Sequence, residues 1–165
     1  MQKIKVLECG PRDGWQNLEQ VLPTEEKLRY IDGLFACGIQ SMEITSFVSP
    51  RAIPQMVDAG EVARYCVEKY PDKDLVALIP NFKGAQLAKE AGLKHLTYVI
   101  SVSESHNKAN INRTHDQSFE ELRRIRESFP ELQLCIGMAT TFGCPFEGIP
   151  ELDKVLRFVE RIRSC

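Results

Sequence analysis

The sequence predicts an α/β fold, a parallel sheet whose strands alternate with covering helices. Three observations predict it. Short runs rich in Val, Ile and Leu recur five times along the 165 residues, about one every 33. Each is followed by a stretch whose apolar residues repeat at helical spacing. Gly and Pro punctuate the joins. Strands alternating with helices cannot be joined by tight hairpins, so the sheet is parallel and covered by its helices.

Ile4 to Cys9 is the first strand, stopped by Gly10 and Pro11. Thr24 is placed to cap the first helix, with Lys27 where a capping-box Glu would stand. Leu28, Ile31, Leu34 and Phe35 share that helix's apolar face, and Gly38 ends it. Ser41 to Val48 is the second strand, and Met56 to Tyr70 the second helix, closed by Pro71. Asp74 to Pro80 is the third strand. Gly84 to Ala91 is a short helix stopped by Gly92. His95 to Val102 is the fourth strand. The fourth helix is Ser118 to Phe129, with a capping box of Ser118 and Glu121 and with Pro130 after its end. Leu132 to Thr141 is the fifth strand. Pro150 opens a fifth helix in which Leu152, Val155, Leu156 and Val159 share a face.

Composition sets the outer bounds. Lys plus Arg is 21 against 23 for Asp plus Glu, a net charge of −2. Hydrophobic residues make 43% and charged residues 27%, a balance that builds a core and argues against disorder. Near-neutral charge removes the electrostatic case for nucleic-acid binding. No apolar run reaches the ~18–20 residues of a membrane span, and the mixed run Met1 to Cys9, with Lys3 and Lys5, is not a signal peptide. The expectation is a cytoplasmic protein of one domain over residues 1–165. Six cysteines, at 9, 37, 66, 135, 144 and 165, form no C-x-x-C pair, so they are read as free thiols rather than disulfides or zinc ligands. Cys144, in a Gly/Pro loop, fits a tight turn.

Five units suit two architectures. One is a complete five-stranded doubly wound sheet. The other is the first five βα units of a (β/α)8 barrel, truncated. Polar residues in the strands favour the barrel. Glu8 and Glu43 sit within or at the ends of the first two strands, where barrel enzymes place catalytic groups. A doubly wound sheet would want a phosphate loop after its first strand. Gly10-Pro11-Arg12-Asp13-Gly14 is not one, because Asp13 would repel a phosphate.

The densest chemistry lies in Glu8-Cys9-Gly10-Pro11-Arg12-Asp13-Gly14-Trp15-Gln16-Asn17. An Arg beside an Asp just after a strand is either a surface ion pair or a functional pair. In the second case the carboxylate holds a hard divalent cation and the guanidinium an anionic oxygen, which suits stabilisation of an enolate. This string resembles the first-strand motif of the 3-hydroxy-3-methylglutaryl-CoA (HMG-CoA) lyase family, within the metal-dependent aldolase/lyase barrels. The resemblance recurs in register at Glu43-Ile44-Thr45-Ser46-Phe47-Val48-Ser49-Pro50 with Pro54-Gln55-Met56. It continues at Pro80-Asn81-Phe82-Lys83-Gly84, at Ser103-Glu104 with Asn110-Ile111-Asn112, and at Gly143-Cys144-Pro145-Phe146-Glu147-Gly148.

The resemblance implies a TIM barrel that cleaves HMG-CoA to acetyl-CoA and acetoacetate with Mg2+ or Mn2+. It implies that Asp13 is a metal ligand and that Arg12 polarises the carbonyl and stabilises the enolate. Gln16 would support that site. Glu43 would take part in proton transfer or orient Arg12. Ser46, Ser49, Asn110 and Thr141 would contact substrate or the CoA arm. The family's late His-x-His metal pair and reactive cysteine loop have no counterpart here: His95, His106 and His115 are spaced 11 and 9 apart. The chain is therefore expected to be the N-terminal part of such a lyase, to bind metal weakly and to be inactive alone.

Other charged residues read as scaffold. His106 is read as a solvated loop residue, with a substrate contact as its alternative, His115 as a loop residue, His95 as structural, and Lys108 and Arg113 as solvated charges, with contact to CoA phosphates as their alternative. Trp15 shapes the acyl pocket or packs. Arg123, Arg124, Arg126, Arg157, Arg161 and Arg163 mark outer helix faces. An acyl-CoA substrate and a homo-oligomer are the expected partners. The competing readings are a synthase of the same superfamily, joining acetyl-CoA to a 2-oxo acid, and a non-catalytic binding or assembly module with open sheet edges.

Overall fold

The computed structural model describes residues 4–165. Met1, Gln2 and Lys3, read above as part of the mixed N-terminal run, lie outside the described residues. Five strands form one parallel sheet: β1 (Leu7–Glu8), β2 (Ser41–Ser46), β3 (Asp74–Ile79), β4 (His95–Ser101) and β5 (Gln133–Ala139). Their spatial order is β1-β2-β3-β4-β5. A doubly wound sheet reverses its strand order at a switch point. No reversal occurs here, so that alternative is set aside: each unit winds onward beside the last, as in a (β/α)8 barrel.

Six helices follow: α1 (Thr24–Ala36), α2 (Ala59–Lys69), α3 (Phe82–Glu90), α4 (Glu104–Ile111), α5 (His115–Ser128) and α6 (Leu152–Arg163). The alternation of the strands decides what lies where. Met42, Ile44, Leu75, Ala77, Ile79, Leu96, Tyr98 and Ile100 point outward into one core shared with Ile31, Phe35, Val62, Phe119 and Leu122 of the helices. The residues between them line the inner, concave face. One irregularity matters. The register between β2 and β3 shifts between Glu43 and Thr45, so that Glu43 pairs with Val76 and Ser46 with Leu78. Val76 and Leu78 share the inner face. The bulge therefore turns Glu43 and Ser46 to the same side, although three residues apart in a regular strand would place them on opposite sides.

Several boundaries differ from the sequence reading, each for a local reason. The first strand narrows to Leu7–Glu8. Thr24 is the first residue of α1 rather than its cap, and its hydroxyl donates to Asp58 Oδ2 at 2.9 Å. Pro54–Met56 form a separate 3-10 turn before α2. The capping box lies at Thr114 and Gln117, not Ser118 and Glu121, so α5 begins at His115. Ser118 is instead buried, accepting from Asn107 Nδ2 at 2.9 Å, and Glu121 accepts the Phe82 N–H at 2.7 Å. Pro150 lies ahead of α6, whose cap is Glu151. Gly38 and Gly92 end α1 and α3 as expected, at φ +96° and +91°, which only glycine adopts freely. Among the described residues no helix is long and apolar enough to cross a membrane.

Candidate functional site

The site is built at the C-terminal ends of the strands. After β1 the chain makes a single wide helical turn, Gly10–Gly14. Its start is fixed by Glu8, whose carboxylate accepts the Gly10 N–H at 2.6 Å. A side chain at Gly10 would meet that carboxylate at 2.8 Å, so Glu8 would have to give up this contact to admit one. The turn presents Arg12 over the inner face of the sheet. Arg12 Nε donates to Glu43 Oε2 at 2.5 Å, and one terminal nitrogen donates to Asp13 Oδ1, also at 2.5 Å. Glu43 is only 2% exposed, so this pair is shielded from solvent on the carboxylate side. A buried carboxylate costs much to desolvate unless it is paired, and Arg12 supplies the pairing. Gln16 Nε2 donates to Asp13 Oδ1 at 3.3 Å, and Asn17 holds the Asp13 carbonyl at 2.7 Å.

Beside this corner lies a cleft of about 510 Å³. Arg12 and Gln16 line one end, Ser49 and Ile53 of the β2–α2 connection one wall, Leu78 and Val99 the floor, and Asn110 and Arg113 the far end. The size suits the reactive end of a small-molecule ligand. Ser46 is fully buried, and its hydroxyl has no hydrogen-bond partner among the described residues. An orphaned buried hydroxyl costs about 1–3 kcal/mol and calls for an explanation. It faces the side of the sheet on which the cleft opens, beside Leu78 of the floor.

The structure thus brings Arg12, Gln16, Ser49 and Asn110 into one cleft, with Glu43 buried beneath Arg12 and Ser46 on the same inner face. Asp13 stands at the rim with its side chain 60% exposed. Thr141 is apart: its hydroxyl donates to Met138 O at 2.7 Å, and it does not line the cleft. Among the described residues no three His, Cys, Asp or Glu side chains gather as a metal site. Asp13 offers one carboxylate, already shared by Arg12 and Gln16, so the described residues do not by themselves fit the expected Mg2+ or Mn2+. Arg113, read above as a solvated charge, is half-buried and donates to Pro80 O at 3.3 Å and Glu121 Oε1 at 3.4 Å. Trp15 packs against the helix core and lies edge-on to Tyr30, with centroids 6.5 Å apart, so of its two readings the structure supports packing.

The β5–α6 loop is fastened to the β4–α4 loop. Cys144 Sγ lies 3.0 Å from Ser103 Oγ and accepts the Phe146 N–H at 3.3 Å. Burial pushes that thiol up, but these hydrogen bonds outweigh it and leave its pKa below the usual thiol value. Cys9 is shifted the other way, upward, by burial and by the Glu43 charge. His106 belongs to α4 rather than a loop, and its Nδ1 lies 2.8 Å from Ser101 Oγ.

Comparison with known proteins decides the family. A family model described as HMGL-like matches residues 3–165. The chain belongs to the HMGL-like family. Within it, the chain is 38% identical to the mitochondrial hydroxymethylglutaryl-CoA lyase of Gallus gallus, over 99% of this chain and 55% of that protein. It is 35% identical to the (R)-citramalyl-CoA lyase of Chloroflexus aurantiacus, over 97% of this chain and 54% of that one. A solved HMG-CoA lyase from Acinetobacter baumannii, in complex with coenzyme A and 3-methylmalate, superposes with a TM-score of 0.89 at 40% identity, covering 96% of this chain and 52% of that chain. The Bacillus subtilis HMG-CoA lyase superposes at 0.91 with 34% identity, covering 98% and 55%. The chain spans about half the length of the relatives it matches. The HMGL-like assignment and the strand order together place the five units in a TIM-barrel framework.

Two features of this HMGL-like site were not foreseen from the sequence. One is the half-buried setting of Arg113 at the far end of the cleft. The other is Lys27, which is buried on α1 and reaches the β2–α2 connection. A signal for Lys27 was present, because it lies four residues before Ile31 and eight before Phe35, on their buried stripe.

Proposed function

We propose that this chain supplies the acyl-CoA-binding and carbonyl-polarising residues of a carbon–carbon lyase whose substrate is a branched 3-hydroxyacyl-CoA, with HMG-CoA as the first choice. The observation that carries the reading is Arg12, a guanidinium held by buried Glu43 and by Asp13 at the mouth of a cleft. Its Nε and one terminal nitrogen are engaged, and the other terminal nitrogen has no partner among the described residues. That nitrogen is free to donate to a thioester carbonyl. In the reaction a base removes the tertiary hydroxyl proton and the carbon–carbon bond breaks. The electron pair moves onto the acetyl-CoA carbon as an enolate, which is then reprotonated. Arg12 stabilises the oxygen on which that charge develops. Glu43, tied to Arg12 Nε, orients the guanidinium. Ser49, Asn110 and Arg113 meet the CoA arm along the cleft, and Ser46, whose unpaired hydroxyl is enclosed on the same face, reaches a ligand oxygen only on a local opening.

With Asp13 shared by Arg12 and Gln16, Glu43 tied to Arg12 and no metal cluster among the described residues, the chain alone is expected to bind substrate without turning it over. A cytoplasmic location and self-association belong to the same proposal. The second is motivated by exposed Ile4, Val6, Phe142 and Ile149.

A ligand panel read by isothermal titration separates the lyase from its synthase alternative. A lyase site should hold HMG-CoA more tightly than acetyl-CoA or free CoA, by about tenfold for one charge-assisted hydrogen bond. Equal or tighter binding of acetyl-CoA would favour the condensing synthase. No binding of any CoA species would favour the non-catalytic module.

A further inference from the structure

Lys27 is 1% exposed, yet it belongs to α1, away from the chemistry. Its ammonium crosses to the β2–α2 connection and donates to the Gln55 carbonyl at 2.5 Å and to Asp58 Oδ1 at 2.6 Å. Asp58 is itself nearly buried, with its side chain 9% exposed, and its second oxygen accepts from Thr24 at 2.9 Å. Gln55 then turns its amide to the Leu18 carbonyl, in the segment that follows Gln16. Two separate loops are therefore joined by Gln55, whose own carbonyl is held by the buried ammonium. One is the β1–α1 segment that carries Gln16. The other is the β2–α2 segment that carries Ser49 and Ile53. Both line the same cleft.

A buried ion pair is an inefficient way to stabilise a fold, because desolvation consumes most of the Coulomb gain and an apolar pair of similar volume does as well. What such a pair does supply is direction. The ammonium's donors fix Gln55 and Asp58 in one position relative to α1, on the connection that also carries Ser49.

We propose that Lys27 is a positioning residue that, through Gln55 and Asp58, sets the register of the β2–α2 loop against the β1–α1 loop and thereby the cleft's affinity for an acyl-CoA. The register part stands on the geometry alone. The affinity part rests on the acyl-CoA reading given under Proposed function.

Three variants of the full chain test it: Lys27→Met, the apolar pair Lys27→Met with Asp58→Met, and Gln55→Ala, which keeps the ion pair. Hydrogen exchange reads the loop. The reporters are the amides of Ala52, Ile53, Met56 and Val57, which are hydrogen-bonded within the loop, against those of β3 and β4. Urea unfolding reads global stability, and titration with HMG-CoA reads affinity.

Lys27→Met should destabilise the whole chain, because Asp58 is left buried and unpaired. The double variant should recover the wild-type urea midpoint. It should still show at least tenfold faster exchange at the four loop amides, with β3 and β4 unchanged, and at least tenfold weaker HMG-CoA binding. Gln55→Ala should speed exchange on the Leu18 side without moving global stability. If the double variant recovers loop protection together with stability, Lys27 is only a space-filling part of the core and the proposal is overturned. If the loop amides behave as stated but wild-type chain binds no HMG-CoA, the register role stands and the acyl-CoA reading fails. If loop register is lost and affinity is unchanged, the link between register and affinity is overturned.

Discussion

Arg12 and Glu43 are 31 residues apart in sequence and 2.5 Å apart in space, and the catalytic reading turns on that contact. Their residue types, and a reading of Glu43 as orienting Arg12, were legible from the motifs that resemble the lyase family, but the buried geometry of the contact was not. It depends on the bulge at Ile44, which no pattern of hydropathy announces and which turns Glu43 and Ser46 to the same face. The same bulge explains why Ser46 ends as a buried hydroxyl without a partner. Arg113 was read mainly as solvated, and the burial of Lys27 was passed over, for a related reason: charged residues are usually solvated, and only tertiary packing shows when one is not. The pairing makes a clear prediction. Glu43→Ala removes the carboxylate and leaves the guanidinium against a desolvated surface, and it should destabilise the chain by about 3–5 kcal/mol in urea unfolding. Glu43→Gln keeps the shape and an acceptor and should cost clearly less. Equal losses in the two variants would mean that volume rather than charge pairing governs the position.

At the scale of elements, the five strands and helices α1, α2, α3, α5 and α6 were readable in outline: β2, β3 and β4 bury a face with the right period, α1 and α6 show an apolar stripe, and Gly and Pro mark the joins. Helix α4 was not. Glu104–Ile111 is polar almost all round, with Asn107 as its buried residue. Its stability comes from hydrogen bonds instead. Ser103 caps it by accepting the His106 N–H at 3.1 Å. Asn107 accepts the Ser101 N–H at 3.1 Å and donates to Arg113 O at 2.9 Å. Asn112 closes the helix in the left-handed region at φ 52°. The capping box was recognised as a motif but placed four residues late, since Ser118 and Glu121 satisfy the same pattern as Thr114 and Gln117. The structure distinguishes them. Thr114→Ala should lower stability by about 1 kcal/mol, the usual cost of losing such a cap. The analogous loss at Ser118 should act through the buried Asn107 contact and not through the helix end. Helix content by circular dichroism, followed through urea melts of both variants, checks this. A Thr114→Ala variant indistinguishable from wild type would return the cap to Ser118.

Across the whole molecule, two anchors hold opposite ends of the sheet, and both are acid-sensitive. At the N-terminal end Asp74 receives Lys5 at 2.7 Å, His95 at 2.9 Å and Ser41 at 2.5 Å. Burial pushes the Asp74 carboxyl up, but the hydrogen bonds from His95, Lys5 and Ser41 outweigh it and hold the pKa well below the usual carboxylate range. At the C-terminal end Glu147 accepts the Ser105 N–H at the start of α4 and pairs with Lys154, which brings its pKa down to about 2. A carboxylate whose folded pKa is depressed contributes stability above its unfolded pKa, about 3.9 for Asp and 4.3 for Glu. That contribution is lost as pH falls through the folded value. The unfolding free energy should therefore be flat near neutrality and fall from about pH 4.5 towards pH 2. Asp74→Asn should lower the neutral plateau and flatten the acid limb. An acid limb of unchanged slope in Asp74→Asn would show that this anchor carries no linked stability.

The central claim is that Arg12, aimed by Glu43, grips the acyl end of a CoA thioester rather than serving as a surface ion pair. The measurement that tests it most directly is a calorimetric titration of wild-type chain and Arg12→Gln with HMG-CoA and with free CoA. Arg12→Gln should weaken HMG-CoA binding by tenfold or more, about 1.4 kcal/mol or above, while free CoA binds both proteins alike. Equal affinity of the two proteins for HMG-CoA, or an equal loss for both ligands, would contradict it.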